Sequence, residues 1–283
     1  MLYHGELVLA FGAMPLLGRQ RMALALLGAA LSACDGQKPA ADVASISYTE
    51  DSRSAYLEAM EAFKAQTWED ARTKLQEVRR IFSYSRYARL AELRLADAEF
   101  EQGKYPDAVS GYRAFIRSHR SDENVEYARY RIAKASYLEV GDTALLPPAE
   151  ERDQGNTEDA HRELLAFAER YPDSSYRVDA RYMLAMTTQR LVRHELFVAH
   201  YYLKEDNFPA AIARIDRAVL KFPGSGLEAE ALVLKGETLL KTHARLEAEA
   251  VFQRVASNYP GPFALVAKRF LAAMGAAVKP SDG

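Results

Sequence analysis

The stretch His194-Glu195-Leu196-Phe197-Val198-Ala199-His200 puts two imidazoles and a carboxylate within seven residues, the raw material of a zinc site. A zinc peptidase needs His-Glu-x-x-His, so that both imidazoles fall on one helix face. Here the histidines are six residues apart, about 240° around a helix, and they point to different sides. No nucleophile elbow of the Gly-x-Ser-x-Gly type is present, because the glycines of Phe-Pro-Gly-Ser-Gly-Leu-Glu (222–228) have the wrong spacing. There is no glycine-rich phosphate loop. The acidic residues Asp142, Glu150, Glu151 and Asp153 lack the alternation of a calcium loop and read as a solvated turn. The single cysteine, Cys34, has no second thiol for a disulfide and no His/Cys partner spacing for zinc. Catalysis has no support in these residue types, and neither metal nor diffusible cofactor is expected.

Cys34 has another use. From Met14 the chain runs through a basic segment (Arg19, Arg21), an apolar segment from Met22 to Leu31, and then small residues ending at the cysteine. That is the layout of a secretory signal, and its apolar core is about ten residues, half of the ~20 needed to span a membrane. Leu31-Ser32-Ala33-Cys34 resembles the bacterial lipobox, whose cysteine becomes the acylated first residue after cleavage. A signal peptide over 1–33 and a lipid on Cys34 are therefore expected. Residues 1–13 carry Glu6 but no Lys or Arg, which points to translation starting at Met14 or Met22. Across all 283 residues, 49% hydrophobic content describes a chain with a folded body. The near balance of 37 Lys+Arg against 39 Asp+Glu, with no long basic runs, argues against nucleic acid as a partner.

The elements that must carry any binding residues are helices. After a lipidated N-terminus and polar linker (34–51), a short signature recurs: Trp-Glu-Asp-Ala at 68, Tyr-Pro-Asp-Ala at 105, Thr-Glu-Asp-Ala at 157, Phe-Pro-Ala-Ala at 208 and, more loosely, Leu-Glu-Ala-Glu-Ala at 246. Its alanines, Ala71, Ala108, Ala160, Ala211 and Ala248, are spaced by 37, 52, 51 and 37. Four residues on stand Leu75, Tyr112, Leu164, Ile215 and Phe252, all apolar or aromatic, and twelve on stand Ser83, Arg120, Pro172, Pro223 and Pro260. A small residue lets two helices of a hairpin approach, the residue one turn later fills the gap, and proline ends the helix. Ala199 and Gly236 supply matching small residues on two first helices.

These features predict an all-α chain: a tetratricopeptide-repeat superhelix of about five helix-turn-helix repeats with a capping helix at its C-terminal end. The expected units are repeats 1–3 over 52–173, with an insertion loop at 141–156, then repeats 4–5 plus the cap (Phe263 to Met274) over 174–275, and a tail from 276 to 283. Gly141, Pro147, Pro148 and Gly155 forbid a continuous helix through the insertion. From Ser174 to Asp206 neither Gly nor Pro occurs, which predicts one helix of about 30 residues, ~45 Å long, in repeat four.

On the lipobox, the repeats, Glu-Arg-Asp-Gln (151–154), Tyr-Pro-Asp-Ser-Ser-Tyr-Arg-Val-Asp-Ala (171–180), the run from Arg190 to Arg214 and Phe-Pro-Gly-Ser (222–225), the chain resembles the BamD family of outer-membrane assembly lipoproteins. The resemblance implies a non-enzymatic scaffold, lipid-anchored on the periplasmic face of the outer membrane. Its partners would be the β-barrel insertase BamA, accessory lipoproteins and unfolded outer-membrane proteins. Carried over by position, Tyr84, Tyr87, Arg89, Phe115, Tyr127 and Tyr130 are candidates for gripping an extended substrate ending in an aromatic, although repeat cores use the same residue types. Glu195, Tyr201, Tyr202, Arg214 and Arg217 are candidates for the insertase contact, and Arg214→Glu is expected to weaken that contact without unfolding the chain. The family usually has Tyr-Pro where this chain has Ile81-Phe82, and His-Pro where it has His119-Arg120. Asp35, next to the lipobox cysteine, is a retention signal for the inner membrane in enteric bacteria, so that destination stays open. So does service to another envelope machine, a secretin pilotin or a cell-division coordinator.

Overall fold

The computed structural model describes residues 40–141 and 147–276. The expected signal peptide, Cys34, the first residues of the linker, positions 142–146 of the insertion and the end of the tail lie outside the described residues. The chain divides into a unit Met1–Val43 and a unit Ala44–Gly283, and the repeats belong to the second.

The described elements are all helical: α1 (Ala40–Lys64), α2 (Trp68–Ile81), α3 (Arg86–Glu101), α4 (Tyr105–Ser118), α5 (Val125–Glu139), a 3-10 turn (Ala149–Glu151), α6 (Gly155–Arg170), α7 (Arg177–Lys204), α8 (Phe208–Lys221), α9 (Glu228–Lys241), α10 (Arg245–Asn258) and α11 (Pro262–Ala276). Each recurring signature opens a second helix. Its acidic residues (Glu69 and Asp70, Asp107, Glu158) sit in the first turn, and Pro106 and Pro209 sit where no backbone donor is needed. Basic residues close the same helices at Arg79, Arg80, Arg117, Arg170 and Lys221, where they complement the helix dipole. Two residues before four of the second helices stand Gln66, Gly103, Asp206 and His243, all at positive φ. The left-handed residue ends the first helix and turns the chain back.

The helices from α2 onward stack in sequence, each packing on the next, α1 packs Tyr56 and Ala59 against Leu75 and Val78 of α2, and α5 also reaches α7 as α9 reaches α11. This is the tetratricopeptide arrangement. All five signature alanines are fully buried, as are Leu75, Tyr112, Leu164, Ile215 and Phe252 one turn later. Opposite them Ala59, Ala96, Ala199 and Gly236 permit close approach: a Cβ on Gly236 would lie 2.6 Å from the Phe252 ring, and one on Gly111 would lie 2.9 Å from Ala96 Cβ. Helix α11 closes the array by stacking Phe270 on Phe252 at 4.6 Å between ring centroids.

One expectation needs adjustment. Residues 40–51, read as linker, are helical, because α1 begins at Ala40 directly after Pro39. The long helix expected in repeat four is α7, with 28 residues, and both of its halves are packed. Its first half packs Ala180 and Met183 against Tyr130, Leu164 and Phe167 of α5 and α6. Its second half packs Leu191, Val192, Leu196 and Ala199 against Ile215, Ala218 and Ala231 of α8 and α9. The spacing from Ala160 to Ala211 exceeds the regular 37 by fourteen residues, so α8 is displaced about 21 Å along α7 from the level of a regular hairpin partner. The 3-10 turn rests on α7 and is tied to it by His194 Nδ1 against the Glu150 carbonyl, 2.7 Å.

Candidate protein-binding site

The first helices carry two polar groups that meet at the Tyr176 ring. Asp97 of α3, 2% exposed, accepts hydrogen bonds from Arg94, from the Tyr112 hydroxyl and from the Tyr127 hydroxyl (2.9 Å). Arg131 of α5 donates to Tyr112 Oη (3.1 Å) and to Glu101 (2.8 Å), and its guanidinium lies 3.6 Å over the Phe100 ring. Arg94 reaches back to Tyr56 Oη of α1 at 3.3 Å. Further along, the Tyr130 hydroxyl donates to Asp179 of α7, Lys134 donates to both at 3.1 Å, and Tyr176 stacks on Tyr130 at 4.3 Å. Four first helices are thereby joined, through side chains at i, i+3 and i+4 on α3 and α5 and through Tyr56 of α1 and Asp179 of α7.

Electrostatics follow from this packing. Burial, and after it the Asp97 charge, pushes the Tyr112 and Tyr127 phenols well above their ordinary range. Burial opposes the charges of Arg94 and Arg131, yet Asp97 and the tyrosines outweigh it and hold both guanidiniums more firmly protonated. Asp97 is thus spent on internal partners. The aromatic rims, the Arg131 stem and Lys134 are what such a face offers to an extended peptide.

The residues expected to grip a substrate do not form one cluster. Tyr84 stands in the turn after α2, 94% exposed. Tyr87 is buried against Tyr56, with ring centroids 5.5 Å apart. Arg89 pairs with Asp122 at 3.1 Å on the turn before α5. Phe115, 2% exposed, is repeat core and cannot touch a bound chain without repacking. Only Tyr127 and Tyr130 belong to the two polar groups. Asp97, Arg94, Arg131, Lys134 and Asp179, on α3, α5 and α7, were not singled out from the sequence, where no local pattern pairs them.

The second set does come together. Glu195, 3% exposed, is held by Arg214 Nη1 (3.2 Å) and Arg217 Nε (2.9 Å). Arg217 and Lys221 continue to Glu158 of α6 at 3.7 and 2.8 Å. The hydrogen bond to Glu195 raises the Arg214 pKa. Tyr202 adds to it, and Tyr201, 57% exposed, lies edge-on to Tyr202 at 5.7 Å on the outer side.

Glu158 and Asp179 titrate low, Glu158 through the Lys221 hydrogen bond and Asp179 through the Tyr130 hydroxyl. A carboxyl whose folded pKa lies below its unfolded one stabilises above the unfolded value and loses that contribution as pH falls through the folded one. Stability is therefore expected to decline as pH drops below the ordinary values of 4.5 and 3.8. Urea midpoints between about pH 6 and pH 3 should fall less steeply for Glu158→Gln/Asp179→Asn than for the parent, and parallel slopes would discount both groups.

Among the described residues no group of three or more His, Cys, Asp or Glu is placed to hold a metal ion, and no helix is long and apolar enough to cross a membrane. A family model described as outer membrane lipoprotein, YfiO, matches residues 49–262. The outer membrane protein assembly factor BamD of Caulobacter vibrioides is 27% identical over 194 residues, 69% of this chain and 61% of that one. The factor of the same name from Neisseria gonorrhoeae is 27% identical over 214 residues, 74% of this chain and 79% of that one, and the one from Pasteurella multocida is 23% identical over 254 residues, 87% and 93%. This chain thus spans about three fifths of the Caulobacter relative's length. Among solved structures, the TPR2AB domain of yeast Sti1 in its pHSP90 complex overlaps with a TM-score of 0.40 at 14% identity, covering 81% of this chain and 84% of that one; at that score it adds nothing to the hairpin geometry itself.

Proposed function

The chain belongs to the YfiO family of outer membrane lipoproteins, and from that membership we propose that it is a non-enzymatic scaffold of the β-barrel assembly complex. The observation that carries this reading is the extent of the family match, which takes in α2 to α10 entire and with them both polar clusters. On this reading the face built from Tyr127, Arg131 and Lys134, with Tyr130 buried beneath it, receives unfolded outer-membrane proteins. The surface beside Glu195, Arg214 and Arg217, with Tyr201 and Tyr202, meets the periplasmic part of the BamA-type insertase. Cys34 carries the lipid that holds the body on the periplasmic face of the outer membrane, with Asp35 the residue that would divert it to the inner one. No cofactor beyond that lipid enters the reading.

Affinity purification from detergent-solubilised membranes is the test. A β-barrel protein with periplasmic domains should be recovered together with accessory lipoproteins; recovery of a secretin or a division complex in its place would overturn the assignment. The geometry also selects the variant. Arg214→Glu would set a second carboxylate against the buried Glu195 and destabilise the fold, so the expectation that this change spares folding is withdrawn. Tyr201→Ala removes an exposed ring and leaves the ion pairs intact. It should weaken insertase recovery about tenfold, in the range of an interface tyrosine, and undiminished recovery would take Tyr201 out of the contact.

A further inference from the structure

Helix α7 leaves half of one face bare, and the rest of the array shows what kind of element lies there elsewhere. In the other repeats the second helix runs back along its first helix, whereas α8 packs only on the second half of α7. At about 100° per residue, the arc that presents Val192, Leu196 and Ala199 to α8 continues toward the N-terminus as Arg181, Ala185 and Val178, with Tyr182 and Met186 beside it. These side chains are exposed: Val178 by 72%, Tyr182 by 60% and Met186 by 41%, at i, i+4 and i+8. The strip from Val178 to Met186 is nine residues, about two and a half turns, within a repeat lengthened by about four turns.

Among the groups that α7 itself contributes, the charge of the strip is one-sided, with Glu150 of the 3-10 turn at the edge where Met186 and Arg193 lie. Of the two carboxylates on α7, Asp179 is taken up by Tyr130 and Lys134, and Glu195 by Arg214 and Arg217. Arg181 and, further along, Arg193 are exposed and pair with no carboxylate among the described residues. We propose that the strip docks an amphipathic helix of a partner protein, with acidic residues flanking its apolar stripe, in the position a second helix fills in a regular repeat. The apolar centre supplies contact area, and the arginines select the flank. A second copy of this chain fits poorly, since two-fold pairing would bring Arg177 and Arg181 against themselves. A lipid surface fits poorly too, since the flank offers three exposed arginines, Arg177, Arg181 and Arg193, where polybasic membrane clusters carry about 4–8 cations. The proposal goes beyond the assembly reading and rests on the array geometry alone.

Two labelled synthetic helices of 18 residues, each with leucines at i, i+4, i+8 and i+11 and differing only in glutamates or lysines along the flank, make the probe. Fluorescence anisotropy with the full chain should show binding of the glutamate helix and little binding of the lysine helix. Tyr182→Ala should weaken the glutamate helix about thirtyfold, as for an interface anchor, and Arg181→Glu about fivefold or more. Both substituted side chains are exposed, so circular dichroism should be unchanged. The proposal is overturned if neither helix binds, if both bind alike, or if Tyr182→Ala leaves binding intact. A concentration-dependent dimer or binding to anionic vesicles, either one abolished by Tyr182→Ala, would assign the strip to that other occupant.

Discussion

Asp97→Ala is expected to lower stability by about 3–5 kcal/mol, the range for removing one partner of a buried charge network. The change strands three groups at once. Tyr112, fully buried, loses the acceptor for its hydroxyl, Tyr127 loses the same, and Arg94 loses its carboxylate. A buried donor left without a partner costs its full desolvation. Asn in place of Asp keeps the shape and one acceptor but removes the charge that offsets Arg94 and Arg131, so a smaller loss is expected. Urea unfolding monitored by circular dichroism measures both; a loss below about 1 kcal/mol for Asp97→Ala would show the network to be solvated. Because Tyr112 joins α4 to first helices α3 and α5, protection of those helices against hydrogen exchange should fall together.

Phe252→Ala should cost about as much, 3–5 kcal/mol, by a different mechanism. Its ring fills the space that Gly236 leaves open on α9 and stacks on Phe270 of α11 at a 7° interplanar angle. Truncation removes the side chain that couples the last hairpin to its cap, and the buried neighbours Leu232, Val255 and Ala267 are too constrained to close the gap. The terminal repeat of a stacked array is supported from one side only. Exchange protection should therefore be lost first over α9, α10 and α11. Uniform loss along the whole array, or a shift in unfolding free energy below about 1 kcal/mol, would count against the coupling role.

The repeat signature made most of the fold readable because each of its positions answers to a physical need that recurs. An alanine small enough to pass a neighbouring helix and a large apolar residue one turn later together defined the hairpins before any contact was known. The same alignment also held information that went unread. Seven residues after the signature alanines stand Val78, Phe115, Phe167, Ala218 and Val255, all buried, so the register alone assigns Phe115 to the core. The start of α1 was missed because its first turns are rich in Ala and Ser and show no apolar period; only Pro39 and the absence of Gly and Pro from 40 to 64 marked it. The Glu195 cluster was named through the family resemblance, and its five residues lie within the adjacent helices α7 and α8. The Asp97 network joins residues from positions 56 to 131 that only stacking brings together, and no local pattern pairs them.

Since α5 and α6 on one side, and α8 and α9 on the other, are all keyed to the single helix α7, the length of that helix sets their relative phase as well as their distance. Removing one residue between Ala180 and Ala199 would draw the two groups about 1.5 Å closer and rotate one against the other by about 100°. Losing three or four would nearly restore the facing, at the cost of one turn of spacing. Length changes in α7 therefore act in quanta of a turn: whole turns rescale the gap, and fractions of a turn aim the second half of the array at a different partner.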